Sequence, residues 1–241
     1  MTATATATEI KERPISFTGP MVKAILAGQK TQTRRVIKPQ PSESWMTSGT
    51  SVFGKSPDWS RYYKTVRGHM RKNLWIMHPI DNKEIVCPKG KPGDRLWVKE
   101  AIRYSLEHTN FYYCADNQGV GNDRFVSFME SRPDWSSHYR VNPYLNPRFM
   151  FRWASRITLQ ITNIRVERLQ EISEADAIAE GVRQLRDGSG TYAGREGPGN
   201  LVTPWLTAKE AFADGWDSIN AKRGYSWDSN PFVWVIEFKK L

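Results

Sequence analysis

A chain of 241 residues with 39% hydrophobic and 25% charged residues has an ordinary globular composition, and it is long enough to bury a real core as one large domain or two small ones. No run of about 18 apolar residues occurs, so no membrane-spanning helix is expected, and two cysteines, Cys87 and Cys114, exclude a disulfide framework. The formal charge of +10, alongside 10 Trp, 9 Tyr and 10 Phe, suits a partner with phosphates and bases, although a solvated basic surface over an aromatic core has the same composition.

The Thr-Ala alternation up to Thr8 is of low complexity and predicts disorder over residues 1–12. That start has no basic segment followed by an apolar one, so no secretory signal is expected and a reducing, cytoplasmic setting is the simpler assumption. Ile15 to Phe17 predicts a short strand. A helix follows: Pro20 suits the first helical position, Gly28 suits the stop, and Met21, Ile25 and Leu26 share a face. Gln29 to Arg35 reads as a polar, basic loop leading into Val36 and Ile37. Residues from about 42 to 90 mix Ser, Gly and Pro with aromatics and basic patches and read as an insertion. A second, aromatic-rich insertion covers about 105 to 150, with strand-like pieces near Tyr112 and Phe125.

Between the insertions, Pro92-Gly93-Asp94 is a turn, and Arg95 to Glu100 alternates like a strand. Ser155 to Val166 alternates over more positions than any other segment and is the clearest strand. Ser173 with Asp176 three residues on resembles a capping box, and Gly181 is a natural stop, which predicts a helix from Glu174 to Glu180. The Gly-rich segment Asp187 to Asn200 reads as a mobile loop at the mouth of a pocket. Thr207 to Ala221 predicts a helix with Phe212, Trp216 and Ile219 inward, and Phe232 to Phe238 a final strand. With no repeat and no linker, the pattern predicts a single α+β domain over 1–241, with a closed or nearly closed barrel and short flanking helices.

Two places break local rules. Glu180 is an acid in the last turn of its helix, where the macrodipole disfavours a carboxylate; an acid/base role accounts for it, and so does a solvated surface position. Past Gly28, Lys30, Thr33, Arg34 and Arg35 crowd together; they can cap helix carbonyls, or Lys30 and Arg35 can project into a pocket toward an anion or a base edge. The four histidines (His69, His78, His108, His138) form no H-x-x-x-H pair and have no C-x-x-C partner, so neither a metal site nor a cofactor is expected. No G-x-S-x-G is present either.

The segment Gly28-Gln29-Lys30-Thr31-Gln32-Thr33-Arg34-Arg35 resembles the G-x-K-x-x-[E/T]-x-R signature of ASCH domains, which belong to the PUA-like β-barrels. Gly93 to Val98 resembles the family's G-D-x-L-x-V strand entry, Leu169 to Gly181 its acid-bearing helix, and Val235 to Leu241 the closing strand of its bacterial N4-acetylcytidine amidohydrolases. The long insertions and the segment from Trp153 are more similar to larger phage and prophage members. The resemblance implies an amidohydrolase acting on N4-acetylcytidine or related nucleosides, with Lys30, Thr33 and Glu180 as catalytic group. Thr33 would supply the nucleophile, Lys30 a base or the stabiliser of the oxyanion, and Glu180 the proton for the leaving nitrogen. Arg35 can contact phosphate or ribose, or make a structural ion pair. Trp97, Trp153 and Trp234 can stack on a base or fill the core, and Glu100 can be a second acid or a salt-bridge partner. The competing expectations are an RNA-binding module without catalysis and an accessory protein that binds a partner through its insertions.

Overall fold

The computed structural model describes residues 9–41, 75–77, 84–105, 110–120, 127, 144–196 and 202–241. Most of the two segments read as insertions lies outside these residues, as do Phe125 and the first eight positions. In chain order the elements are β1 (Glu12–Ser16), α1 (Gly19–Leu26), β2 (Gln32–Val36), β3 (Trp75–Met77), β4 (Glu84–Val86), β5 (Arg95–Lys99), β6 (Ile102–Ser105), β7 (Asn110–Tyr113), β8 (Tyr144–Leu145), β9 (Thr158–Arg168), α2 (Glu174–Ala179), β10 (Tyr192–Glu196), β11 (Val202–Trp205), α3 (Ala208–Asn220) and β12 (Phe232–Lys240). This is a mixed α+β architecture with several sheets and few helices. The chain forms two compact units, one of residues 1–29, 93–160 and 239–241, the other of 30–92 and 161–238.

In the first unit β1 runs parallel to β5, with Pro14 opposite Trp97. Proline is tolerated there because β1 pairs on one side only, so no ladder donor is missed. On its other side β5 pairs antiparallel with the start of β9, Leu96 facing Leu159. The pleat sends Leu96 and Val98 inward and leaves Arg95, Trp97 and Lys99 half-exposed. Helix α1 begins with Pro20 in its first turn, buries Val22 and Ile25, and is followed by Gly28 at φ 73°, a conformation that only glycine adopts cheaply. A second sheet, β7-β6-β8, covers a core of Ile102, Phe111, Tyr113, Val120, Leu145, Met150 and Ala154.

In the second unit β12 pairs antiparallel with β2, from Val233 opposite Val36 to Glu237 opposite Gln32, and its other neighbour is β9. Phe232 to Ile236 are all buried, the signature of a strand covered on both faces. Leu169, Trp216, Val233 and Val235 form one apolar cluster, and Ile172, Ala177 and Ala208 another. Ser173 caps α2 by accepting from the Asp176 amide at 3.1 Å, and Gly181 at φ 96° ends it. A full capping box, Thr207 with Glu210, starts α3.

Three sequence expectations change. The polar segment past Lys30 is a strand, not a loop. Ile219 on α3 is 38% exposed, so the inward face of that helix is Ala208, Ala211 and Trp216. Within the Gly-rich segment, Tyr192 to Glu196 pair with Val202 to Trp205 as a hairpin. Its glycine has a packing reason: a Cβ on Gly194 would lie 2.6 Å from the Trp205 ring and from Asp214 Oδ2. Among the described residues no closed barrel forms, since β1 and β2 each pair on one side only.

Candidate functional site

The site lies in the second unit and starts from the pleat of β2. Residues Gln32 and Arg34 share one face of the strand, and both reach α2. Two backbone bonds hold the approach to the strand, Thr31 N–H to the Ala179 carbonyl at 2.9 Å and Phe238 N–H to the Thr31 carbonyl at 2.8 Å. Lys30 is thereby fixed beside the end of α2. Its Nζ donates to the Glu180 carbonyl at 2.6 Å and to Glu180 Oε2 at 2.8 Å. The first contact satisfies a carbonyl that the last helical turn leaves without an intrahelical donor, and the second neutralises the carboxylate at the negative end of the helix.

The other oxygen, Glu180 Oε1, takes Arg34 Nη1 at 3.3 Å. Arg34 Nη2 donates to Glu167 Oε2 at 2.9 Å and to Asp176 Oδ2 at 3.3 Å. Gln32 Nε2 donates to the Asp176 carbonyl at 2.9 Å and to its Oδ1 at 3.1 Å. From β9, Arg165 joins Glu167, Glu237 and Asp176. The Lys30 and Arg34 side chains are fully buried and Glu180 nearly so. Removing such charges from water costs several kcal/mol each, which explains why cations and carboxylates here meet in matched, hydrogen-bonded sets.

Burial holds the Lys30 ammonium below its ordinary range; Glu180 opposes this by charge and hydrogen bond, and Arg35 and Arg34 add to the lowering. Burial likewise lowers the Arg35 guanidinium, against the pull of Glu180. Asp176 sits below the usual carboxylate range: burial works against this, but the Gln32 hydrogen bond and the charges of Arg34 and Arg165 prevail.

Of the residues singled out in the sequence, the structure brings Lys30 and Glu180 into direct contact. Thr33 is buried, at 1% exposure, opposite Ile236. Strand alternation turns it to the face of β2 opposite Gln32 and Arg34. Arg35 shares Thr33's parity, lies opposite Trp234 in the ladder, and donates to the Arg34 carbonyl at 3.4 Å. Trp234 is 1% exposed, a core position within β12. Trp97 and Glu100 belong to the first unit. Glu100 is held by one edge of the Arg156 guanidinium, Nε donating to Oε1 at 2.9 Å and Nη2 to Oε2 at 2.9 Å. Arg156 also meets Asp116 and Gln118, and lies 3.8 Å over the Tyr113 ring. Burial raises the Glu100 carboxyl, with Arg156 opposing it, and pushes the Tyr113 phenol up to about 12. Trp153 stacks on Phe151 with 5.6 Å between ring centres.

Arg165 and Glu167 escaped the sequence reading, which took Arg34 as one of the crowded cations and Asp176 as a helix-cap residue without joining them. One signal was present: Asp176 and Glu180, four apart on a helix, share a face. Among the described residues no group of three or more His, Cys, Asp or Glu could hold a metal ion, and no helix is long and apolar enough to cross a membrane. Comparison with protein families, curated proteins and solved structures gave no match.

Proposed function

We infer that this chain is an amidohydrolase of the ASCH type, built on a PUA-like fold, that removes the acyl group from N4 of N4-acetylcytidine and related acylated cytosine nucleosides. The observation that supports this most is the buried contact between Lys30 Nζ and Glu180 Oε2, at 2.8 Å across 150 residues of sequence. Hydrolysis of an amide needs a stabilised oxyanion and a group that carries a proton to the leaving nitrogen. A buried ammonium beside a carboxylate supplies both in a setting where charge acts strongly. In this scheme Lys30 stabilises the oxyanion formed when the acyl carbon is attacked. Glu180 takes the nucleophile's proton and delivers it to N4 as the C–N bond breaks, leaving cytidine and the carboxylic acid. The attacking oxygen belongs either to Thr33, giving an acyl-enzyme that water then hydrolyses, or to water directed by Glu180.

Following N4-acetylcytidine by absorbance tests this. Wild type should turn over, Lys30→Ala should lose at least about a hundredfold in kcat, and a strong chelator should change nothing. A wild type without turnover sinks the hydrolase assignment. Thr33→Val decides the nucleophile: abolished turnover with nucleoside binding intact assigns it to Thr33, and retained turnover assigns it to water.

A further inference from the structure

Arg34 stands outside the hydrolytic scheme, yet its contacts single it out. Its side chain is fully buried and its guanidinium works as a two-ended fork. Nη1 donates to Glu180 Oε1 at 3.3 Å, while Nη2 donates to Glu167 Oε2 at 2.9 Å and to Asp176 Oδ2 at 3.3 Å. Asp176 and Glu180 are four apart, so one guanidinium grips α2 at two levels, a turn from each other. The remaining donor, Nε, is buried and has no hydrogen-bond partner among the described residues. A buried donor left unpaired costs free energy, so packing alone does not favour an arginine at this position. The fork does.

The two ends of the fork are not equally backed. Asp176 is held again by Gln32, at its carbonyl and at Oδ1, and by Arg165 Nη2 at 3.1 Å from Oδ1. At Glu180 the oxygens are divided, Oε2 to Lys30 Nζ and Oε1 to Arg34 Nη1. Glu180 needs such a hold. It is the cap residue past the six-residue helix α2, and Gly181 at φ 96° follows it, so a long side chain with many rotamers stands at a helix end. Arg34, by contrast, projects from a strand that is paired with β12, opposite Val235.

We propose that Arg34 is a positioning residue for the hydrolysis inferred at Lys30, a role that rests on that reading. By holding Oε1 it fixes the Glu180 carboxylate so that Oε2, beside Lys30, is the oxygen that takes the nucleophile's proton and passes it to the leaving nitrogen. The guanidinium keeps its own protons throughout, as an arginine does. It holds the carboxylate from the face of β2 that Thr33 does not use, and Glu167 steadies its other end.

The test follows N4-acetylcytidine turnover by the full chain, with urea midpoints taken alongside to give the folded fraction of each variant. Arg34→Lys keeps the charge and loses the fork. It should lower kcat at least about tenfold and leave KM within about twofold of wild type, because only the placement of the proton carrier changes. Arg168→Lys is the same change at a half-buried arginine of the same unit, which donates to the Asn230 carbonyl at 3.1 Å; it should leave kcat and KM as they are. Glu167→Gln, which loosens the other end of the fork, should lower kcat by a smaller factor with KM unchanged, and it decides the matter where Arg34→Lys does not fold. The proposal is overturned by a kcat for Arg34→Lys within about twofold of wild type, by a rise in KM with kcat unchanged, or by an equal loss in Arg168→Lys. Where Glu167→Gln has to decide, an unchanged kcat overturns it. A wild type without turnover removes the hydrolase reading and this role with it, whereas an active wild type with an undiminished Arg34→Lys removes this role alone.

Discussion

The two charged clusters are built on opposite plans. Around Lys30 and Arg34 the charges are buried or half-buried and matched, with Glu167, Asp176, Glu180 and Glu237 answering Lys30, Arg34, Arg35 and Arg165. Around Trp97 the cations Arg95, Lys99 and Arg152 are exposed or half-exposed and unmatched, with Glu12 the one carboxylate among the described residues there. Water makes the difference. At about 4 Å two charges interact by roughly 1 kcal/mol in water but by about four times that at a partly shielded site, while an unpaired charge deep inside costs several kcal/mol. A buried cluster therefore has to balance, and an exposed one is free to carry a surplus.

Substitutions sharpen the contrast. Arg34→Met takes one partner from three carboxylates at once and should lower the unfolding free energy by about 3–5 kcal/mol in urea denaturation. A loss under about 1 kcal/mol would mean that the cluster is wetter than its burial indicates. Lys30→Met and Glu180→Gln should each cost about 3 kcal/mol, and the double variant should cost less than their sum by about 1–3 kcal/mol, because the second change removes the charge that the first left unpaired. Asp176→Asn gives the pH signature. The folded pKa is lowered, so the stability Asp176 contributes is complete above the ordinary carboxylate range and is lost as the pH falls through the lowered value. The gap in urea midpoint between wild type and variant should thus be constant above pH about 5 and close toward pH about 2. Glu12→Gln, on the exposed face, should shift stability by less than about 0.5 kcal/mol. A large loss there would show that the face is held as tightly as the buried cluster.

The clearest sequence signals were those with local causes. Pro20, Gly28, Ser173 and Gly181 mark helix ends through the chemistry of one or two residues, and the structure has helix ends at those positions. Alternation found β5 and β9, and a continuous apolar run found β12, because their buried residues are apolar. It missed β2 because Gln32 and Arg34 on that strand are buried polar groups whose partners lie 133 to 146 residues away; no local pattern reports such pairing. The hairpin of β10 and β11 was hidden for a related reason. Gly194 reads as a loop residue, yet it is glycine because an indole ring and a carboxylate occupy the place of its Cβ. At the candidate site, Lys30 and Glu180 were legible from their positions beside helix ends, whereas Arg34 and Asp176, which tie the same knot, were not.

That carboxylate links two elements in time as well as in space. Asp214, on α3, accepts the backbone N–H of Arg195 at 2.8 Å and the Trp205 indole N–H at 3.3 Å. Arg195 lies in the irregular stretch of the hairpin ladder between Ala193 and Glu196, so its amide is guarded by a side chain from a helix. Its exchange with deuterium should follow the openings in which α3 releases Asp214, so that this one hairpin amide keeps the helix's clock. Asp214→Ala should let Arg195 exchange faster than the paired residues of its hairpin while the amides in the middle of α3 keep their pace.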